Sequence, residues 1–76
     1  VTWNYRVIED KGEFSIHEVY YNKGGAITNV SVDAIAPVGE KLAELRDEMK
    51  HYAEALRHRV LKMSKIKFAP REDDEA

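Results

Sequence analysis

The stretch Trp3–Tyr21, WNYRVIEDKGEFSIHEVYY, decides the fold. Two runs rich in aromatic and β-branched residues flank Asp10-Lys11-Gly12-Glu13, which is a turn signal, so the stretch reads as a β-hairpin. A two-residue loop at Lys11-Gly12 sets Val7 opposite Ile16, Tyr5 opposite Glu18 and Trp3 opposite Tyr20. Side chains alternate between faces with a period of two. One face therefore collects Trp3, Tyr5, Val7, Phe14, Ile16 and Tyr20, the expected core face. The other holds Arg6, Ile8, His17, Val19 and Tyr21.

Lys23-Gly24-Gly25 is the next turn signal, and Ala26 to Asp33 is a third extended run. A two-residue loop would send Asn29 and Ser31 to the core face, whereas a three-residue loop sends Thr28, Val30 and Val32. Burial favours the second, and glycine supplies the left-handed position such a loop needs. Ile27 then joins Ile8, Val19 and Tyr21 on the reverse face. Three runs joined by tight turns make an antiparallel meander.

Pro37 closes the strand region, and from Glu40 to about Leu61 there is neither Gly nor Pro. Leu42, Leu45, Met49, Tyr52 and Leu56, with Val60 one step on, recur at spacings of three and four, a single helical stripe. Glu40, Glu44, Asp47 and Glu48 lead the segment and Arg57, His58 and Arg59 close it, an order that suits the helix dipole. Such a helix spans about 33 Å against about 26 Å for an eight-residue strand, so part of it should overhang the sheet. The expected class is α+β: a three-stranded antiparallel meander packed on one long C-terminal helix (β-β-β-α) over residues 1–61. A charged, disordered polar tail is expected over 62–76.

The chain has 76 residues, enough for one domain at most, and no cysteine, which removes disulfides, thiolate metal sites and a cysteine nucleophile. No run is long and apolar enough to cross a bilayer. The opening residues show no basic and apolar regions of a signal peptide, so a cytoplasmic location is expected. Net charge is −2, with no overall electrostatic footprint for nucleic acid. The charge is nonetheless uneven. Residues 57–71 carry Arg57, Arg59, Lys62, Lys65, Lys67 and Arg71 with no acid, and Glu72-Asp73-Asp74-Glu75 follow at once. The basic block is a candidate contact for a polyanion or an acidic partner, with the chain's own acidic tail as a competitor.

Little points to catalysis. His17-Glu18 resembles the start of a zinc-protease motif, but position 21 is Tyr and strand neighbours point apart. Asp47, His51, Glu54 and His58 share a helical face, yet the two imidazoles stand about 10 Å apart, too far for one ion. Glu18 is the lone acid on the expected core face; either burial makes it an acid or base, or a Tyr hydroxyl satisfies it at the margin. Ser15, Ser31 and Ser64 have no nucleophile-elbow context, and Gly24-Gly25 joins strand to strand, not strand to helix. No enzymatic activity and no cofactor are expected. One helix covers one face of three strands, which would leave Ile8, Val19, Tyr21 and Ile27 together on the other. A contiguous apolar patch on a small domain marks an interface, so the expected function is a non-enzymatic interaction module that self-associates through the sheet or binds a small protein partner.

Two resemblances follow from these residues. Trp3-Asn4-Tyr5-Arg6-Val7, Ile16-His17-Glu18-Val19-Tyr20-Tyr21 and the Leu42…Leu45…Met49…Ala53…Ala55-Leu56…Val60-Leu61 pattern resemble a family of small uncharacterised bacterial proteins over about residues 3–61. The order strand-strand-strand-helix, with Gly39-Glu40 opening a helix that contains Leu42-Ala43-Glu44-Leu45, is similar to the HicB-type antitoxin domain. That likeness implies a small toxin or RNA as partner.

Overall fold

A computed structural model describes residues 2–70. Thr2–Asp10 (β1) and Glu13–Tyr21 (β2) pair antiparallel in the expected register, with Trp3 opposite Tyr20, Tyr5 opposite Glu18 and Val7 opposite Ile16. Lys11 (φ 53°) and Gly12 (φ 85°) both take the left-handed conformation that a two-residue hairpin loop of this hand requires. The Gly12 N–H donates to Glu9 Oε2 at 3.0 Å, tying the loop to its strand.

The second loop also has three residues. The Asn22 N–H donates to the Ala26 carbonyl at 2.9 Å, and Asn22 Oδ1 accepts from the N–H groups of Gly24 and Ala26. Ile27–Val30 (β3) then departs from expectation. Ile27 lies opposite Tyr21, but Asn29 lies opposite Tyr20 and Val30 opposite Val19, so Thr28 is the extra residue of a β-bulge. The bulge reverses parity. Val30 joins Val19 on the reverse face instead of the expected core face, and Val32, expected there too, is 94% exposed.

The sheet has four strands, in the order β3-β2-β1-β4, and it is curled. Leu61–Lys62 (β4) runs parallel to β1, with Leu61 beside Ile8 and Lys62 beside Glu9. The expected three-stranded antiparallel sheet is thus the core of a mixed one. The helix, Leu42–Ala55 (α1), is shorter than its stripe implied: 14 residues, about 21 Å. Its entry is tight, because a Cβ on Gly39 would stand 2.6 Å from the Leu45 nitrogen. Glu44 reaches back to the Glu40 N–H at 3.0 Å, which satisfies one donor at the helix start. At the other end the N–H groups of Leu56, Arg57 and His58 bond the carbonyls three residues back, tightening the last turn. No Gly or Pro stops the helix. Pairing of Leu61 and Lys62 with the free edge of β1 overrides local helix propensity.

The helix lies on the expected face, over β1, with Tyr52 5.1 Å from Tyr5 ring to ring and Glu48 Oε2 accepting from the Tyr5 hydroxyl at 3.4 Å. Its phase differs. Leu45, Glu48, Tyr52 and Ala55 meet the sheet, with Tyr52 and Ala55 buried, whereas Leu42, Met49 and Leu56 of the expected stripe stay exposed. Because α1 follows β1, it gives little cover to β2: Phe14 is exposed, and Ile16 and Tyr20 are only half-buried.

The largest correction concerns the reverse face. Ile8 and Val19 are both 0% exposed. With α1 on the other side, their cover comes from residues 59–69, most of which the sequence assigned to a disordered tail. The Arg59 carbonyl accepts from the Arg6 guanidinium at 2.9 Å, and a 3-10 turn at Met63–Lys65 rests on β1. The Ala69 N–H donates to the Ile27 carbonyl at 2.7 Å. The segment therefore runs from the β1 edge to β3 and closes over the middle of the sheet. The expected acidic run 72–75, with Arg71, lies outside the described residues.

Candidate functional site

On the covered face, side chains at alternate positions build a polar network beside the apolar centre. The Tyr21 hydroxyl donates to Asn4 Oδ1 at 2.7 Å and accepts from Arg6 at 3.2 Å. Of the four residues expected to form an exposed interface, Ile8 and Val19 are fully buried within this chain and Tyr21 and Ile27 are half-buried. They form no free patch, because the 59–69 segment occupies it.

His17, on the face that one helix would leave uncovered, is 8% exposed. Its Nδ1 lies 2.9 Å from the Ser31 carbonyl oxygen and its Nε2 2.9 Å from Ser15 Oγ. A carbonyl only accepts, so Nδ1 carries a proton and donates, and in that tautomer Nε2 accepts a hydrogen bond from the Ser15 hydroxyl. Ser15 and Ser31, which have no nucleophile-elbow context, both serve this imidazole. The row of hydroxyl, imidazole and carbonyl is the arrangement that orients a general base, but neither of the two clefts described below reaches it. Its physical work is to satisfy a buried ring. The signal that finds it is parity: His17 shares the face of Val19.

Glu18 takes its marginal reading. It is half-buried, and the Tyr20 hydroxyl donates to its Oε1 at 2.8 Å. That hydrogen bond, then burial and the nearby carboxylate charge, raises the Tyr20 phenol above its ordinary value. Burial, then the charges of Glu48, Tyr52 and Glu18, raises Tyr5, and burial followed by Glu48 and Glu18 raises Tyr52.

The helix carboxylates and imidazoles do not converge. Asp47 pairs with Lys50 at 3.7 Å and Glu54 with Arg57 at 3.2 Å, while His51 stands edge-on to Tyr5. Among the described residues no three His, Asp or Glu side chains are placed to hold a metal ion. His51, Glu54 and His58 instead flank a groove of about 480 Å³ whose wall is Trp3 and Tyr5.

Arg59, Lys62, Lys65 and Lys67 line one cleft of about 480 Å³, opposite Ile27 of β3. Arg57, also of the basic block, is drawn away to Glu54. The sequence signal for this segment is an alternation read as solvated tail: Leu61 and Met63, then Ile66 and Phe68, interleave with Lys62, Lys65 and Lys67. The third candidate surface is the exposed helix flank, where Leu42, Met49 and Leu56 are 63%, 52% and 71% exposed. Compared with known families, curated proteins and solved structures, the chain matches none of them.

Proposed function

We propose that the protein is a non-enzymatic interaction module that self-associates, through the helix flank and not through the sheet. The observation that carries this reading is the exposure of Leu42, Met49 and Leu56 on one side of α1. At 100° per residue these three fall within about 40° of one another, and about 80° from the direction in which the sheet lies. The seven-residue spacing is that of a seam between two helices.

Symmetry and charge name the occupant. The three residues are disposed evenly about Met49. In a two-fold pair with antiparallel helices, Met49 meets Met49 and Leu42 meets Leu56. Residues 40–48 hold four acids and two bases, net −2, and residues 49–59 hold three Lys or Arg and one acid, net +2. Antiparallel pairing sets these halves against each other, whereas parallel pairing sets like against like.

Sedimentation velocity on the intact chain and on Met49→Lys tests the reading. The intact chain is expected to sediment at twice the 8.7 kDa protomer mass in the micromolar range. Met49→Lys places two ammonium groups on the axis and is expected to sediment as a protomer with an unchanged circular dichroism spectrum. A monomeric intact chain, or a dimer indifferent to the substitution, would refute it.

A further inference from the structure

We propose that the cleft between β3 and residues 59–67 binds an extended acidic peptide segment of a partner protein. Among the described residues, Arg59, Lys62, Lys65 and Lys67 line it without a single carboxylate. Among the described residues none of these four lies within ion-pair distance of an acid. Like charges gathered without counter-charge repel one another, and an anionic ligand relieves that repulsion. Arg6 adds a further positive charge at the Arg59 end. Its guanidinium bonds the Arg59 carbonyl and the Tyr21 hydroxyl, and its buried Nε has no partner.

The remaining lining decides among anions. Ile27, Val60, Leu61 and Ile66 make the floor aliphatic, and no aromatic ring lines the cleft. Nucleic acid bases bind such channels by stacking on aromatic side chains, which this one does not offer. Aliphatic side chains of a peptide fit the floor while its carboxylates meet the rim. A main-chain template is present as well. Among the described residues β4 is the terminal strand of the sheet, so no strand pairs with the side of Leu61–Lys62 away from β1, an edge to which an extended chain can add. The cleft and the helix flank lie on different elements, so this proposal stands independently of self-association.

The test is fluorescence anisotropy of the full chain with a labelled peptide alternating Glu and Val. A peptide alternating Glu and Gly and a labelled oligothymidylate serve as comparisons. The Glu-Val peptide is expected to bind most tightly and to weaken as salt is raised. Reversing two exposed rim charges in Lys62→Glu with Lys65→Glu should weaken binding about tenfold or more, a change of about 1.4 kcal/mol. Lys50→Glu, on the helix, should leave binding unchanged. Repeating the titration with Met49→Lys separates the result from the oligomeric state. Absence of peptide binding, tighter binding of the oligothymidylate, or equal losses from Lys50→Glu and the rim variant would each overturn the proposal.

Discussion

Replacing Ile8 with Ala separates the two accounts of the reverse sheet face. Ile8 has no accessible surface; it sits between Ser15 of β2 and Leu61 of β4, under the 59–69 segment. The substitution removes three carbon atoms from that site. At about 0.8 kcal/mol per methylene the transfer loss is about 2.4 kcal/mol. The space left behind raises the total to about 3–4 kcal/mol, within the range for such truncations. A chain of this length has a stability of about 4–11 kcal/mol, so the loss is a large fraction of the whole. The expected fall in Tm is roughly 12–30 °C. Urea unfolding followed by circular dichroism measures it, with an unchanged slope showing that the unfolded state has not been altered. Val32→Ala, at a position 94% exposed, is the control and should stay within about 0.5 kcal/mol of the parent. If the face were open, Ile8→Ala would behave like that control. A loss below about 0.5 kcal/mol would mean that residues 59–69 do not cover Ile8, and the placement of the cationic cleft would fall with it.

Two further outcomes follow from the side-chain networks. Truncation of the buried imidazole, His17→Ala, leaves the Ser15 hydroxyl and the Ser31 carbonyl without their partner and opens a void, for a loss of about 2–3 kcal/mol; exposed His51→Ala should change stability by less than about 0.5 kcal/mol, and equal effects of the two in urea unfolding would show the network to be idle. The phenols of Tyr5, Tyr20 and Tyr52 are all raised above 10.0, so the folded state holds their protons more tightly than the unfolded state: this contribution is fully present below about pH 10 and is lost as pH rises through the folded values, and a urea midpoint that stays flat above about pH 10 would contradict it.

The hairpin was legible because its instructions are local. Lys11-Gly12 can supply two successive left-handed residues, and alternation on either side fixes the rest. The third strand was not, since the bulge at Thr28 inserts one residue into a run where Thr28, Asn29 and Val30 read equally well in either parity. The helix was found but rotated. Leu42, Met49 and Leu56 dominate any stripe drawn by hydropathy, yet the sheet takes Tyr52 and the small Ala55, which allows close approach, and accepts Glu48 through the Tyr5 hydroxyl. The candidate sites followed the same rule. The cations of residues 59–67 were visible as a run, but that they share a cleft with Ile27 depends on a parallel pairing with β1, which no local pattern announces.

One physical circumstance connects the buried reverse face, the exposed helix flank and the cationic cleft. A sheet that is apolar on both sides needs two covers, and in the described residues a short helix lies on one side and the irregular 59–69 segment on the other. Each cover is thin. The irregular segment crosses from edge to edge over Ile8 and Val19; its Leu61, Met63 and Ile66 are half-buried, and its lysines are left along one wall of the cleft. The helix buries Tyr52 and Ala55 against β1, and its phase is set by that contact, so Leu42, Met49 and Leu56 are carried to an exposed flank. The apolar surface that the sequence assigned to the sheet has not vanished; it has moved to the helix. In the proposed self-association the apolar contact therefore sits on the helix and not on the sheet, and contact mapping of the associated state should find Met49 at its centre and Val19 nowhere in it.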